Sequence, residues 1–343
     1  RNKQMNRRVR DSGADATNNR AAVLGIRLLR LLARTLPPRI FLGACAAAGS
    51  IAGMVSKRES RIAASQIAFA FAGCKNAFHT DKQCRALARA SFRHIGRFAG
   101  ECLLIDRLLG EQPSNAPYIT VSGQDIVEEI LHSGQGALAL SGHFGCFELQ
   151  PPYFAGLGIP ATVIARSPNY GWLAAAVNDL RSYNGVELLW RGKEHSVKTL
   201  YRALKQQRII CTLLDQDVNL DNHFAPFFGE GAASPVVPLR IALAHKLPVV
   251  TSFIIRKDVL HHHIVIERVP YDGSDPQALE YVLNCYNQRL EALIRQYPEQ
   301  WLWWHRRWRR RPGIDYEAHP ELLRSTNDYL AWLVERTAER VAA

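Results

Sequence analysis

This 343-residue chain is short of several things that would narrow its function at once. Its seven cysteines are odd in number, widely spaced and without a CxxC pair, which argues against a disulfide framework or a cysteine zinc site and for free thiols in a reducing compartment. There is no GxSxG, no P-loop, no HExxH and no GxGxxG following a strand, so nucleophile-elbow hydrolases, P-loop NTPases, zincins and dinucleotide-binding enzymes drop out. No internal repeat, low-complexity block or secretory signal is evident. Long hydrophobic runs are also missing. One long uncharged run, residues 40–56, is rich in Ala and Gly and falls short of the ~20 strongly apolar residues of a spanning helix. A buried helix, a shallow membrane insertion and a marginal span all remain open for it. Acidic residues are under-represented, 31 against 43 Lys and Arg, which leaves a net charge of +12 and favours an anionic partner.

What the chain does have is a core: 47% of its residues are hydrophobic. Residues 1–17 are polar and basic and read as disordered. Residues 18–112 read as all-helical and membrane-associating. Arg20, Arg27, Arg30 and Arg34 alternate with Leu24, Leu28, Leu31 and Leu32 in a basic amphipathic helix stopped by Pro37-Pro38, with no acid to balance the arginines. Further helices fit 41–55 and 58–72, and a long one capped by Asp81 runs to Leu109. From 113 to 343 the rhythm is that of an α/β domain with a C-terminal helix. Strands are expected at 118–122, 137–141, 161–165, 186–190, 209–215 and 247–256, most of them separated by helices, with a last, antiparallel strand at 261–269. The fold class is therefore α/β, a mostly parallel central sheet flanked by helices.

One short segment, "SGHFGCFE" at 141–148, draws attention because His143 and Glu148 stand five positions apart. Two such His-x4-acid spacings occur. In the other, His262 and Glu267 lie in an alternating strand where an odd offset sends side chains to opposite faces, so they cannot cooperate. His143 instead follows the apolar strand "ALALS", at the carboxyl rim where open α/β sheets bind ligands. A helix is expected to start just after it, with Glu148 in the first turns, placed to accept Nδ1–H and leave Nε2 as a base. Cys146 is the competing nucleophile, disfavoured because no second base attends it. A His–carboxylate dyad without a protein nucleophile suits deprotonation of a bound hydroxyl that then attacks an activated acyl group.

Arg166 and Asp215 end other strands and so share the rim, either as a structural ion pair or as groups that orient the dyad or bind an anionic acceptor. "FAPFFG" and "GAASP" read as an apolar loop beside the site. In "WLWWHRRWRRRP" at 301–312, tryptophans interleave with arginines, Trp303, Trp304, Arg306 and Arg307 among them. That pattern reads as an interfacial patch for lipid phosphate, like Arg27, Arg30 and Arg34; single-stranded nucleic acid is the rival, opposed by the lack of any RNA- or DNA-binding fold pattern.

These blocks, in this order, resemble the lipid A biosynthesis (late) acyltransferases, a branch of the lysophospholipid acyltransferase superfamily. The resemblance covers roughly 90–312 and rests on "GHFGCFE", on "ARSPNYGWLAAAVNDLRSYNGVEL", on "LLDQDVNLDNHFAPFFGEGAASPVVPLRIALAHKLPVV" and on "PEQWLWWHRRWRRRP". It implies transfer of a fatty acyl chain from an acyl carrier protein thioester, or acyl-CoA, to a hydroxyl of a lipid A precursor. Alternative acceptors are a lysophospholipid or another glycolipid. The resemblance makes His143 the base and Glu148 its partner, with Arg166, Asn169, Arg181, Asp215 and Asp217 around the substrate. It implies no cofactor and no metal, acyl carrier protein and anionic membrane lipids as partners, no nucleic acid, and a seat on the cytoplasmic face of a bacterial inner membrane, peripheral, monotopic or singly spanning. The N-terminal apolar segment is weaker, and the last block denser in Arg and Trp, than the family pattern.

Overall fold

The computed structural model describes residues 24–73, 80–110, 116–166, 185–191, 196–218 and 221–342. The N-terminal 1–17, Asn169 and Arg181 lie outside the described residues.

Seven strands form one sheet: β1 (Ile119–Ser122), β2 (Ala137–Ser141), β3 (Ala161–Arg166), β4 (Glu187–Arg191), β5 (Ile209–Leu213), β8 (Val249–Arg256) and β9 (His262–Arg268). Their order is β1-β9-β8-β2-β5-β3-β4. Pairing is parallel throughout, except that β9 runs antiparallel to β8 and carries β1 with it. The sheet is mostly parallel, as the strand–helix rhythm requires, because parallel neighbours need a crossover between them. Both faces are covered. On β2, Leu138 and Leu140 enter one apolar core and Ala137 and Ala139 the other; on β8, Phe253 and Ile255 oppose Val250 and Ile254 in the same way. That two-sided burial is why these strands read as unbroken apolar runs.

A separate antiparallel hairpin joins β6 (Asn222–Phe227) to β7 (Glu230–Pro235). Its residues are the "FAPFFG" and "GAASP" stretches, expected to be a loop. Each strand contains a proline, and the second is mostly Gly, Ala and Ser, so propensity alone does not call for strands; packing decides.

Helix α1 spans 24–35, α2 Pro38–Val55, α3 Lys57–Ala70, α4 Asp81–Cys102 and α5 Ile105–Leu109. The cap of α4 is Thr80, not Asp81: its hydroxyl accepts from the Gln83 amide at 3.2 Å while the Gln83 side chain accepts from the Thr80 amide at 3.0 Å. The helix also stops at Leu103, short of the expected Leu109. α3 and α4 contribute Ile62, Ile67, Phe69 and Leu87 to the same core as the sheet, so these helices pack into the α/β body. The remaining helices are α6 (Gln124–Ser133), α7 (Gln150–Gly156), α8 (Ser196–Lys205), α9 (Val237–Ala244), α10 (Ala278–Gln296) and α11 (Thr326–Ala342).

α2 is the one helix among the described residues long and apolar enough to cross a membrane, with a mean hydropathy of 1.4 and 28% of it buried. It is mostly exposed, so it is not an internal core helix. Ile40, Ile51, Met54 and Val55 point outward, and on α1 Leu24, Leu28 and Leu31 do the same beside the exposed Arg27 and Arg34. These faces are what an amphipathic membrane-surface segment presents. α2 lies against α4 at backbone contact: a Cβ on Gly96 would sit 2.2 Å from the Cys45 carbonyl oxygen, and one on Gly49 2.4 Å from that of Phe92.

Two substitutions separate this crossing from helix propensity. Gly96→Val forces the helices apart and is expected to cost about 1–3 kcal/mol or more. Gly43→Ala, on the open side of α2 with nothing within 4 Å, should be neutral or stabilise by about 0.5–1 kcal/mol. Denaturant midpoints at constant slope read both.

Candidate active site

The registers of the parallel strands build the site. β2 pairs with β5 so that Ser141 faces Leu213, and the Leu214 amide donates to the Ser141 carbonyl at 3.2 Å. Continuing two residues past each strand end brings His143 level with Asp215. Their side chains meet there: His143 Nδ1 lies 2.8 Å from Asp215 Oδ1, and the His143 backbone N–H donates to Asp215 Oδ2 at 2.8 Å. The Trp301 indole N–H donates to that same Oδ2 at 2.8 Å. Asp215 is 2% exposed and accepts all three bonds. Burial alone would push its carboxyl up, but the attraction of His143 and these donors outweigh it and hold the carboxyl down to about 2. An ionised carboxylate only accepts, so Nδ1 carries the proton and Nε2 has the lone pair.

This corrects the sequence reading of the dyad. The partner on Nδ1 is Asp215, 72 residues downstream, not Glu148. Glu148 sits in a 3-10 turn (Phe147–Leu149) and lines the same cavity as His143. The helix expected right after His143 is replaced by a strapped loop. Phe144 bridges to Trp301, the Gly145 amide donates to the Gln300 carbonyl at 3.0 Å, and α7 begins only at Gln150. Gly145 has φ 59°, and a Cβ there would lie 1.8 Å from the Ile254 carbonyl oxygen, so only glycine fits. Behind the strap, Arg256 pairs with the buried Glu101 and contacts His94 Nδ1, and His94 in turn bonds the Gly145 backbone. Phe147 packs edge-on against the His143 ring, centroids 5.1 Å apart.

The cavity over His143 has a volume of about 260 Å³. Phe147, Phe154, Val163, Ile164 and Ala165 make it largely apolar, and Glu148 and the exposed Arg166 at the end of β3 supply charge. On its floor the Gln150 amide donates to Ser141 Oγ at 3.2 Å and accepts from Ser252 Oγ.

Other expected site residues fall elsewhere. Asp217 is fully enclosed by Arg309 and Arg310, through side chains and the Arg310 amide at 2.8 Å, so it anchors the C-terminal block and is not available to substrate. The Trp/Arg block is not a surface patch. Trp301, Trp303, Trp308 and Arg307 are each at most 1% exposed. Arg307 donates to the Ala233 carbonyl and, at 2.8 Å, to Ser234 Oγ, while its own amide donates to Gln66 Oε1 at 2.9 Å. Trp304 stacks on Phe92 at 4.8 Å, and Arg306 donates to the carbonyls of Leu323 at 3.0 Å and Ser325 at 3.1 Å. The block is core, so the feature that suggested lipid phosphate or nucleic acid is turned inward. Arg30 is half-buried, whereas Arg27 and Arg34 stay exposed on α1. Cys146 is fully buried, which pushes its thiol well up and removes it as a nucleophile. His262 is buried and lowered to about 4 by burial, while Glu267 is exposed and pairs with Arg289 at 2.8 Å; as alternation demands, they do not meet.

A histidine with its tautomer fixed by a buried carboxylate stands at the carboxyl rim of a mostly parallel sheet, beside a cavity, where open α/β sheets bind ligands; an imidazole so held can take a proton from a hydroxyl. The sequence profile of the bacterial lipid A biosynthesis acyltransferases matches residues 11–310, and the chain belongs to that family. No individually curated protein matches it well enough to count as a relative.

Asp215 should leave a signature in acid. Its folded pKa of about 2 lies below the ordinary 3.8, so its contribution is complete above pH 4 and lost as pH falls through 2. At about 1.4 kcal/mol per unit this is about 2 kcal/mol. Urea titrations should show the stability gap between wild type and Asp215→Asn narrowing by that amount between pH 4 and pH 2. A gap independent of pH would mean that the carboxylate is not held ionised.

Proposed function

We propose that this acyltransferase moves a fatty acyl chain from an acyl carrier protein thioester to a hydroxyl of a lipid A precursor, with His143 as general base. The observation that carries the reading is the imidazole fixed by buried Asp215, its Nε2 free for a cavity whose walls suit an acyl chain. Nε2 takes the acceptor hydroxyl proton as the oxygen attacks the thioester carbonyl. The tetrahedral oxyanion collapses, the C–S bond breaks, and the departing thiolate is protonated by Nε2–H, which restores the neutral imidazole. Asp215 stabilises the imidazolium between these steps. Glu148, on the cavity wall, acts from the substrate side, on the acceptor or on the imidazolium. Arg166, and Asn169 and Arg181 from outside the described residues, bind the anionic acceptor; an acyl-CoA donor is the alternative. The exposed apolar faces of α1 and α2, with Arg27 and Arg34, support attachment to an anionic membrane, which for this chemistry is the cytoplasmic face of a bacterial inner membrane.

Purified chain assayed with acyl carrier protein thioester and lipid A precursor tests this. His143→Ala should lower turnover by about 10²–10⁴ with little change in melting temperature. Glu148→Gln should also lose activity, whereas Cys146→Ala should keep most of it. Near-normal turnover in His143→Ala would remove the mechanism.

A further inference from the structure

A second concavity, sharing no residue with the one over His143, runs between α3, α4 and α11 and has a volume of about 900 Å³. Its floor is apolar: Ala64, Ala68 and Ala88 lie below, with Leu333, Val334 and Val341 of α11 along one side. Val334 and Val341 are 65% and 69% exposed, so this side of the groove presents apolar surface. All of α11 lies beyond residue 310, where the family match ends.

The rim is basic. Lys57, Arg61, Arg85 and Arg89 line it, and the only acid among the lining residues is Asp81, which pairs with Arg85 at 2.5 Å. Lys57, Arg61 and Arg89 make no hydrogen bond or ion pair among the described residues. Met54, at the end of α2, also lines the groove, beside the outward-facing Ile51 and Val55. The groove therefore opens at the end of α2, the one described helix long and apolar enough to cross a membrane. An apolar trough with a cationic lip, continuous with an apolar outer face, suits a long hydrocarbon chain ending in an anionic group such as phosphate.

We infer that this groove holds one anionic phospholipid, its acyl chain along Ala64, Ala68 and Val334 and its phosphate on Lys57, Arg61 and Arg89. This bound lipid is distinct from donor and acceptor. It seats the chain on the membrane; α4, which forms one groove wall, also packs through Ser91 onto the Trp301 carbonyl at 2.9 Å. Neither the site nor its ligand depends on the acyl-transfer reading.

Native mass spectrometry of the full chain in detergent, with equimolar palmitoyl-oleoyl phosphatidylglycerol and phosphatidylcholine, tests the inference. Wild type should retain one phosphatidylglycerol per chain in preference to phosphatidylcholine. Ala68→Trp, which fills the floor, and the pair Arg61→Ser/Arg89→Ser should each lower that occupancy about tenfold or more. Val334→Asp, at an exposed position, reads the floor independently should Ala68→Trp fail to fold. His143→Ala should retain the lipid; its release there would assign the lipid to the acyl-transfer cavity and overturn the groove. Equal retention of both lipids, retention of neither, or undiminished binding in the folded groove variants would overturn it as well.

Discussion

The Asp215 carboxylate is the point on which the rest of the site depends. It is buried and ionised, and it accepts from the His143 backbone, the His143 ring and the Trp301 indole. Those three donors come from the loop after β2 and from the C-terminal block, while Asp215 itself follows β5. A charge in the interior is tolerated only when its lone pairs are satisfied, so each donor is held by the cost of losing it. Parallel register places the carboxylate, the carboxylate fixes the imidazole, and the imidazole lines the cavity.

The C-terminal block is the other half of that constraint. Trp301 reaches Asp215, Trp303 and Trp308 fill the core beneath, and Arg307 lies fully buried with Phe227 over its guanidinium, 5.2 Å to the ring centroid. Arg309 and Arg310 close on Asp217, so the two aspartates of the "DQD" segment each receive part of the same block. Asp215 holds the His143 imidazole, and Asp217 holds the segment that reaches Asp215. Residues that look like surface chemistry are thus the internal frame of the site, and the hairpin β6–β7 exists to pack against them, through Ala233, Ser234 and Phe227.

Much of this was open to reading in the chain, and the failures share a cause. Strand β2 stands where alternation and apolarity put it, and β5 and β8 nearly so; His143 stands at the rim, and the antiparallel β9 is where the pattern placed it. Sequence spacing points to Glu148, five residues from His143, whereas Asp215 reaches the imidazole through strand register. The signal was available: Asp215 and His143 each stand two residues beyond a parallel strand's end. The Trp/Arg block was placed outside because its composition is that of an interface. Burial becomes affordable only through particular acceptors, such as the side chain of Gln66 for the Arg307 amide and the carbonyl of Ala233 for its guanidinium, which no local pattern reveals. The loop in place of a helix after His143 likewise follows from a distant contact, the Gly145 amide on the Gln300 carbonyl.

The account rests on His143 carrying its proton on Nδ1, against Asp215, so that Nε2 is the base. Proton–nitrogen correlation spectra of the folded chain labelled with ¹⁵N-histidine read this directly. The account predicts a His143 Nδ1–H tautomer with a downfield, slowly exchanging proton, lost or shifted strongly upfield in Asp215→Asn and unchanged in Glu148→Gln. An Nε2–H tautomer in the wild type, or a resonance that responds to Glu148→Gln and not to Asp215→Asn, would contradict it.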